Sequence, residues 1–175
     1  MKRYIILAVL LVVSSNLLAQ SLTRDQTITY LLEKLKETED LKRTYSSEFT
    51  YTHINIQFKK SSTNANRVLF QYERNFSDNT KDKSKFEFFP QYIKSVEKNE
   101  GKPGDAVAFL VVNFTAKNSV HEFTSTSGRF EKDSVESLVI PYLIADALHF
   151  ERMSKALLHL RDVTIASMAP DPFVP

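Results

Sequence analysis

The sequence predicts an α+β fold in which helices at the two ends of one domain accompany an antiparallel sheet of about six or seven strands. Apolar residues recur with the 3.6-residue period of a helix near both ends, and the middle alternates with the two-residue period of strands. Strands and helices do not alternate along the chain, as a parallel sheet would require. These observations predict one domain over residues 20–165.

The first nineteen residues have the layout of an export signal. Lys2 and Arg3 precede an unbroken apolar run over residues 5–13, and small and polar residues then lead to a predicted cleavage site after Ala19. The apolar run is shorter than the roughly 20 residues that cross a bilayer. We therefore expect residues 1–19 to be a signal peptide, and the mature protein to be periplasmic or secreted, with no transmembrane segment.

Composition narrows the classes of partner. The chain of 175 residues has 23 Lys and Arg residues, 21 Asp and Glu residues and no cysteine. Because Lys2 and Arg3 leave with the signal peptide, the mature chain carries 21 residues of each sign, whereas nucleic-acid-binding proteins concentrate basic charge on one surface. Nucleic acid is therefore not an expected partner. Without disulfides the core alone must stabilise the fold, which favours a bacterial exported protein.

Each predicted element follows from a local pattern. The opening helix begins at a capping box, Thr23-x-x-Gln26, and is expected to end near Asp40. Strands are predicted over residues 47–59, 66–74, 85–89, 106–114, 119–124 and 135–143, while 91–98 fits either a strand or a turn of helix. Residues 77–84 are predicted to be a loop, and a charged turn is expected around Gly128.

Two of the predicted strands allow more specific predictions, a bulge in one and burial on both faces in the other. In the strand over 47–59, Phe49 and Tyr51 share one parity and Ile54 and Ile56 the other, which predicts a β-bulge near Thr52-His53. The strand over 106–114 is apolar at nearly every position, which predicts burial on both faces. We expect the N-terminal helix to cover its outer face.

The chain closes with a predicted helix of about 18 residues from near Asp146, followed by a proline-rich tail over 166–175. The segment from Glu151 to Leu160, with Asp171-Pro172-Phe173 beyond it, resembles the closing helix of small exported bacterial proteins with a pleckstrin-homology-like fold. That resemblance implies a strongly bent sheet capped by the C-terminal helix, an exported location and no particular activity. A cystatin-like or nuclear-transport-factor-like cone is the alternative fold, and the terminal helix favours the first.

The sequence contains no motif of the common catalytic classes. Cysteine nucleophiles, Gly-x-Ser-x-Gly, glycine-rich phosphate loops and His-Glu-x-x-His are all absent from it. The four histidines, His53, His121, His149 and His159, lack the spacing of zinc ligands, so neither a metal nor a cofactor is expected. His159 shares a helical face with Arg152 and Lys155, a pattern that favours a solvated face over an anion site.

Aromatic residues are the remaining excess, with 13 Phe and 7 Tyr. Phe88, Phe89 and Tyr92 bunch around Pro90, and two consecutive rings in a strand cannot both point inward. We therefore expect these three residues to form a binding site beside an edge strand. The chain is interpreted as an exported, non-enzymatic binding or assembly module of the bacterial cell envelope, with an envelope protein or peptide as partner and lipid as a second class. The alternative is an envelope hydrolase that assembles its site from scattered Ser, His and Asp residues.

Overall fold

The computed structural model describes residues 22–44 and 49–168 and confirms the α+β class. Two helices accompany nine antiparallel strands in this part of the chain, arranged in two sheets. The predicted signal peptide, residues 1–19, lies outside the described residues, as do residues 169–175 of the predicted tail. Neither helix of the described chain combines the length and apolarity that crossing a bilayer takes.

The elements have the following bounds. Helix α1 spans Arg24–Lys36 and helix α2 spans His149–Ser167. The strands are β1 (Lys42–Thr44), β2 (Thr50–Lys60), β3 (Val68–Phe76), β4 (Lys81–Phe88), β5 (Ile93–Asn99), β6 (Val107–Phe114), β7 (Ser119–Ser125), β8 (Phe130–Val135) and β9 (Ser137–Leu143). A 3-10 turn over Pro90–Tyr92 joins β4 to β5.

The strands divide between a six-stranded and a three-stranded sheet rather than forming the single sheet that was expected. The larger sheet has the order β1-β2-β3-β4-β7-β8, and the smaller has the order β5-β6-β9. The chain passes between the sheets after β4, β6 and β8. Two of the nine strands were not predicted: β1 has three residues, and β8 is a charged, exposed edge strand in the region expected to be a turn.

Helix α1 begins as its capping box predicts. The Thr23 hydroxyl accepts a hydrogen bond from the Gln26 amide at 3.3 Å, and the Gln26 side-chain oxygen accepts one from the Thr23 amide at 2.8 Å. The helix ends at Lys36, earlier than expected, because the Thr38 hydroxyl and amide both donate to the Leu35 carbonyl. Asp40, the expected end, already has the left-handed φ of 60°.

The bulge in β2 is confirmed in kind but lies further along the strand. The register with β3 shifts between Ile54 and Gln57, and Asn55 within the bulge has a φ of 55°. The Ile56 amide donates to the Glu39 carboxylate at 2.6 Å instead of to β3. This displacement places His53 among the buried residues and leaves Ile54 half-exposed, whereas a bulge at His53 would have buried Ile54.

Three further expectations about the strands and helices are corrected or resolved. Residues 81–84 belong to β4 rather than to a loop, since their alternation buries Asp82 and Ser84, which are polar. The ambiguous stretch 91–98 is the end of the 3-10 turn followed by β5. Helix α1 packs mainly on β2 and α2 instead of on β6. Helix α2 contacts β5 and β9, the two strands that flank β6.

Both sheets and both helices contribute to one apolar core. Its fully buried members include Leu31, Leu35, Phe58, Phe70, Phe88, Leu110, Ile140, Met153, Leu157 and Leu160. The start of α2 is fixed to β9 by the Leu143 amide, which donates to Nδ1 of buried His149 at 2.9 Å. Asp146 precedes this helix and accepts from the Leu148 amide, so α2 begins three residues later than expected. It ends at Ser167, two residues into the predicted tail.

Candidate functional site

The structure divides the three predicted binding residues. Phe88 is 0% exposed, and its ring packs in the core with centroids 6.3 Å from Phe58 and 5.5 Å from Phe114. Phe89 is half-buried and Tyr92 is 39% exposed. Phe88 is therefore a packing residue that a partner cannot reach in this conformation, whereas the other two rings meet the surface.

Phe89 and Tyr92 form a surface cluster with an arginine that the sequence analysis missed. Their rings meet edge to face, with centroids 5.9 Å apart, and the 3-10 turn holds them together through a hydrogen bond from the Tyr92 amide to the Phe89 carbonyl. The Arg67 guanidinium carbon lies 4.5 Å from the Phe89 ring centroid. Such a cation–ring contact is worth about 0.5–1 kcal/mol at exposed sites. We call Arg67, Phe89 and Tyr92 the Phe89 surface.

The strand register explains why Arg67 reaches this surface. Lys60 pairs with Val68, Val68 with Phe88, and Phe88 with Ser119, so these four residues form one end of the six-stranded sheet. We call it the Val68 end. Arg67 and Phe89 are the residues just beyond the paired positions of β3 and β4. The pairing of β3 with β4 was not deduced from the sequence, which is why Arg67 was not identified.

An ion-pair network lies beside Arg67 and is closed. Glu87 accepts hydrogen bonds from Thr63 at 3.1 Å and from Ser61 at 3.2 Å, and Lys85 bridges Glu87 and Glu122 at 3.0 and 3.1 Å. Burial opposes ionisation of Glu87, but the hydrogen bonds from Lys85 and Thr63 outweigh it and lower its pKa. The network lines a cavity of about 280 Å³. Lys132 also pairs with Glu122 at 2.8 Å, so two lysines and two carboxylates neutralise one another and the network offers little free charge to a ligand.

A second constellation lies at the opposite end of the same strands. Arg74 donates from Nε and Nη2 to the two carboxylate oxygens of Asp82, at 2.8 and 2.5 Å. The guanidinium carbon lies 5.5 Å from the Tyr51 ring centroid and 5.4 Å from that of Phe76. The pair faces a cavity of about 330 Å³ whose aromatic lining is Phe49, Phe76 and Phe123. We call this cavity the Arg74 pocket.

Buried titratable groups lie beside Arg74 without being poised for proton transfer. His53 is 1% exposed, and its ring centroid lies 5.2 Å from that of Tyr51 and 5.0 Å from that of Tyr72. Burial lowers the pKa of His53 to about 3, and the positive charges of Arg74 and Arg43 act in the same direction. Burial also raises the pKa of Tyr51 to about 12. Neither group changes its charge near neutral pH, where a general acid or base would be needed.

The same face carries the arrangement that comes nearest to a hydrolase triad. His121 Nε2 lies 3.4 Å from the Ser84 hydroxyl, and Asp133 pairs with His121 from the neighbouring strand. Ser84 is buried, however, and the His121 ring stacks on Phe86 with centroids 4.3 Å apart. Among the described residues, no carboxylate is hydrogen-bonded to His121. A triad needs an oriented base and a nucleophile that the substrate can reach, so these three residues do not constitute one.

The basic strip of α2 lies along a shallow groove between the helices. His159 Nε2 is 2.7 Å from the Leu22 carbonyl oxygen, and Arg152 donates to Asp146 at 3.2 Å. Arg152, Lys155 and His159 line the groove together with Leu22 and Tyr30. Two of the three basic side chains are thus engaged within the chain. In addition, His, Cys, Asp and Glu side chains nowhere gather in threes around a metal position in the described part of the chain.

Comparison with known proteins assigns no family to this chain. No family model matches it, and neither a curated protein nor a solved structure does. The resemblance to exported proteins with a pleckstrin-homology-like fold therefore remains an expectation from the sequence.

Proposed function

We propose that this chain is an exported, non-enzymatic binding or assembly module of the bacterial cell envelope, and that it engages an envelope protein or peptide through the Phe89 surface. The observation that carries the proposal is the surface pair of rings, Phe89 and Tyr92, with Arg67 stacked on Phe89. Tyr and Arg are enriched among the residues that dominate binding energy at protein interfaces. The export signal predicted at residues 1–19 supports the location.

Binding is favoured over catalysis because the polar groups that could take part in a reaction are paired with one another or buried. The Arg74–Asp82 pair is bidentate and closed, the Glu87 network is neutralised, and Ser84 is buried beneath its neighbours. A catalytic site would instead present a base and a nucleophile to a shared cavity. These closed pairs stabilise the sheet and leave the aromatic surface as the feature available to a partner.

Site-specific photocrosslinking in cells tests the binding surface. A photoreactive phenylalanine analogue replaces Tyr92 in one exported protein and Phe130 in another; Phe130 is a matched control because it is 62% exposed on β8, away from the Phe89 surface. We expect a discrete envelope-protein adduct from position 92 and none from position 130. The substitution Phe89→Ser should remove the adduct while leaving the circular dichroism spectrum unchanged. Equal adducts from both positions, or an adduct that survives Phe89→Ser, would contradict the proposal.

Export is tested separately by fractionation and N-terminal sequencing. We expect the protein outside the cytoplasm with Gln20 as its first residue, since the predicted cleavage follows Ala19. A cytoplasmic protein that retains residues 1–19 would contradict the location without bearing on the Phe89 surface.

A further inference from the structure

The groove between the two helices is an apolar cavity with a basic rim. Its volume of about 420 Å³ exceeds that of the cavities beside Glu87 and Arg74. Sites for small molecules typically have volumes of about 300–1,000 Å³, a mainly apolar lining and a few convergent polar groups, and they often lie between packed helices. None of the described residues that line the groove is acidic. We call this cavity the interhelical groove.

Apolar groups form most of the floor of the interhelical groove. Ala156 of α2 is 9% exposed, and the Tyr30 ring packs against the core from the side of α1. The hydroxyl of buried Thr27 donates to the Thr23 carbonyl at 2.8 Å, so this side chain has no proton left to donate to a ligand. Leu22 lines the groove where α1 begins, and it is 43% exposed. An occupant of the groove therefore finds mostly apolar contacts along the floor.

The basic rim contains one cation without a partner. Arg152 donates to Asp146 at 3.2 Å, and His159 Nε2 donates to the Leu22 carbonyl at 2.7 Å. Lys155 lies between them on α2, is exposed, and forms no hydrogen bond or ion pair with any described residue. The sequence pattern favoured a solvated face for these three basic residues, whereas the structure places apolar side chains of α1 beside that face. The groove thus combines an apolar floor with an unpaired positive charge at its rim.

The shape and charge of the groove favour an alkyl chain with an anionic head group. Helix α2 rises by about 10 Å from Arg152 to His159, a distance that a short alkyl chain can follow. A peptide backbone in extended conformation on this floor would lose the water bound to its amides without gaining partners for them, which is unfavourable. An alkyl chain has no polar group to satisfy, and its transfer from water to an apolar surface is favourable. A carboxylate at one end of the chain finds its partner in Lys155.

We infer that the interhelical groove binds a fatty acid, whose alkyl chain lies along Leu22, Tyr30 and Ala156 and whose carboxylate pairs with Lys155. Arg152 adds positive charge to the same rim, although Asp146 offsets part of it. The groove shares no residue with the Phe89 surface, so the fatty acid is a second ligand, independent of the partner proposed above. This assigns a binding role to Lys155.

Isothermal titration with sodium alkanoates, each below its micelle concentration, measures the binding. We expect decanoate to saturate at one molecule per chain, and the affinity to rise by about two- to fourfold for each methylene between hexanoate and decanoate. Decyltrimethylammonium has the same chain with a positive head group, and it should bind about tenfold more weakly than decanoate. Uptake without saturation, affinity that does not depend on chain length, or equal affinity for the cation would each overturn the inference.

Two substitutions with matched controls test the position of the ligand. Lys155→Gln should weaken decanoate binding by about three- to fivefold, whereas Lys83→Gln, at an exposed lysine of β4, should leave it unchanged. Leu22→Ser should also weaken binding, whereas Ile165→Ser, at a residue of α2 that is 50% exposed outside the groove, should not. Circular dichroism verifies that each variant folds. Equal losses in a substitution and its control would contradict the assigned site.

Methyl NMR locates the ligand without any substitution. In ¹³C-methyl-labelled protein, decanoate should shift the signals of Leu22, Thr27 and Ala156 and leave those of Ile165 in place. Unshifted Thr27 and Ala156 signals would overturn the inference. Sedimentation with phosphatidylglycerol vesicles, if decanoate does not bind, would identify the basic face as a membrane-docking surface and would overturn it as well. Failure of decanoate to bind has no bearing on the position 92 adduct, so it is distinguishable from failure of the proposed function.

Discussion

The two consecutive rings Phe88 and Phe89 lie on opposite sides of the end of β4, because successive side chains alternate across a strand. Phe88 is enclosed by core rings, whereas Phe89 contacts Tyr92 and Arg67 near the surface. The same substitution should therefore have different effects at the two positions. Phe88→Ser should lower the free energy of unfolding by about 3–5 kcal/mol, and Phe89→Ser by about 1 kcal/mol.

Urea unfolding of both variants, with Phe130→Ser as the matched exposed control, measures this difference. Phe130→Ser should stay within about 0.5 kcal/mol of the unsubstituted protein. Similar losses at positions 88 and 89 would mean that Phe89 is also a core residue. The Phe89 surface would then lose its main argument.

The sequence was sufficient to propose Phe89 and Tyr92, because aromatic residues beside a proline are visible as a cluster. It was not sufficient for Arg67, or for the contact of Arg24 with the loop that ends at Arg67. Arg67 reaches Phe89 only through the pairing of Val68 with Phe88, and Arg24 reaches this end through a contact with Ala65, 41 residues away. Contacts that depend on strand register and helix docking cannot be predicted from a local sequence pattern.

At the scale of elements, the bulge in β2 decides which residues the core receives. Asn55 holds the left-handed conformation there, with φ of 55°, and its side chain donates to Glu73 at 2.9 Å. Asn55→Gly should stay within about 0.5 kcal/mol of the unsubstituted protein, because glycine adopts this conformation freely. Asn55→Ala should lower the free energy of unfolding by about 1–2 kcal/mol, because other side chains disfavour it. Urea unfolding distinguishes the two, and equal stability of the two variants would show that the bulge relaxes.

The elements that the sequence predicted well are those with local signals. The capping box at Thr23 marks the start of α1, and the apolar run after Pro103 and Gly104 predicts β6. Residues 81–84 were missed because their strand alternates between polar residues of different burial, and residues 130–135 because their strand is exposed at nearly every position. Asp82 is buried only because Arg74 on the adjacent strand neutralises it. This ion pair is a tertiary contact, which a short stretch of sequence does not predict.

At the scale of the whole molecule, the two ends of the six-stranded sheet contrast. The Arg74 end carries a bidentate ion pair beside a cavity, while the Val68 end carries Arg67 on the Phe89 ring beside exposed Tyr92. The shared core lies between them and joins both sheets to both helices. Because that core is continuous, we expect loss of packing at one end to unfold the whole domain together.

This coupling lets a buried histidine contribute to the acid sensitivity of the whole domain. The folded state does not protonate His53 until about pH 3, whereas the unfolded chain protonates histidine at an ordinary pKa of about 6.5. A histidine with a depressed pKa in the folded state leaves the free energy of unfolding unchanged above about pH 6.5. It lowers that free energy increasingly as the pH falls below this value. Between pH 6 and pH 4, His53 alone should therefore lower the free energy of unfolding by about 2.5 kcal/mol.

The substitution His53→Phe isolates this contribution, because a phenyl ring keeps the edge contacts with Tyr51, Tyr72 and Phe109 while removing the proton site. In urea unfolding at pH 6, 5 and 4, the free energy of unfolding should fall less for the variant than for the unsubstituted protein. The difference should reach about 2.5 kcal/mol between pH 6 and pH 4. Burial lowers the pKa of His149 and His121 as well, so part of the fall in the free energy of unfolding should persist in the variant.

In the unsubstituted protein the NMR signals of the His53 ring should stay unchanged down to pH 4. A His53 titration near pH 6.5 would instead show that water reaches the ring, and the fold around the Arg74 pocket would then be open rather than packed.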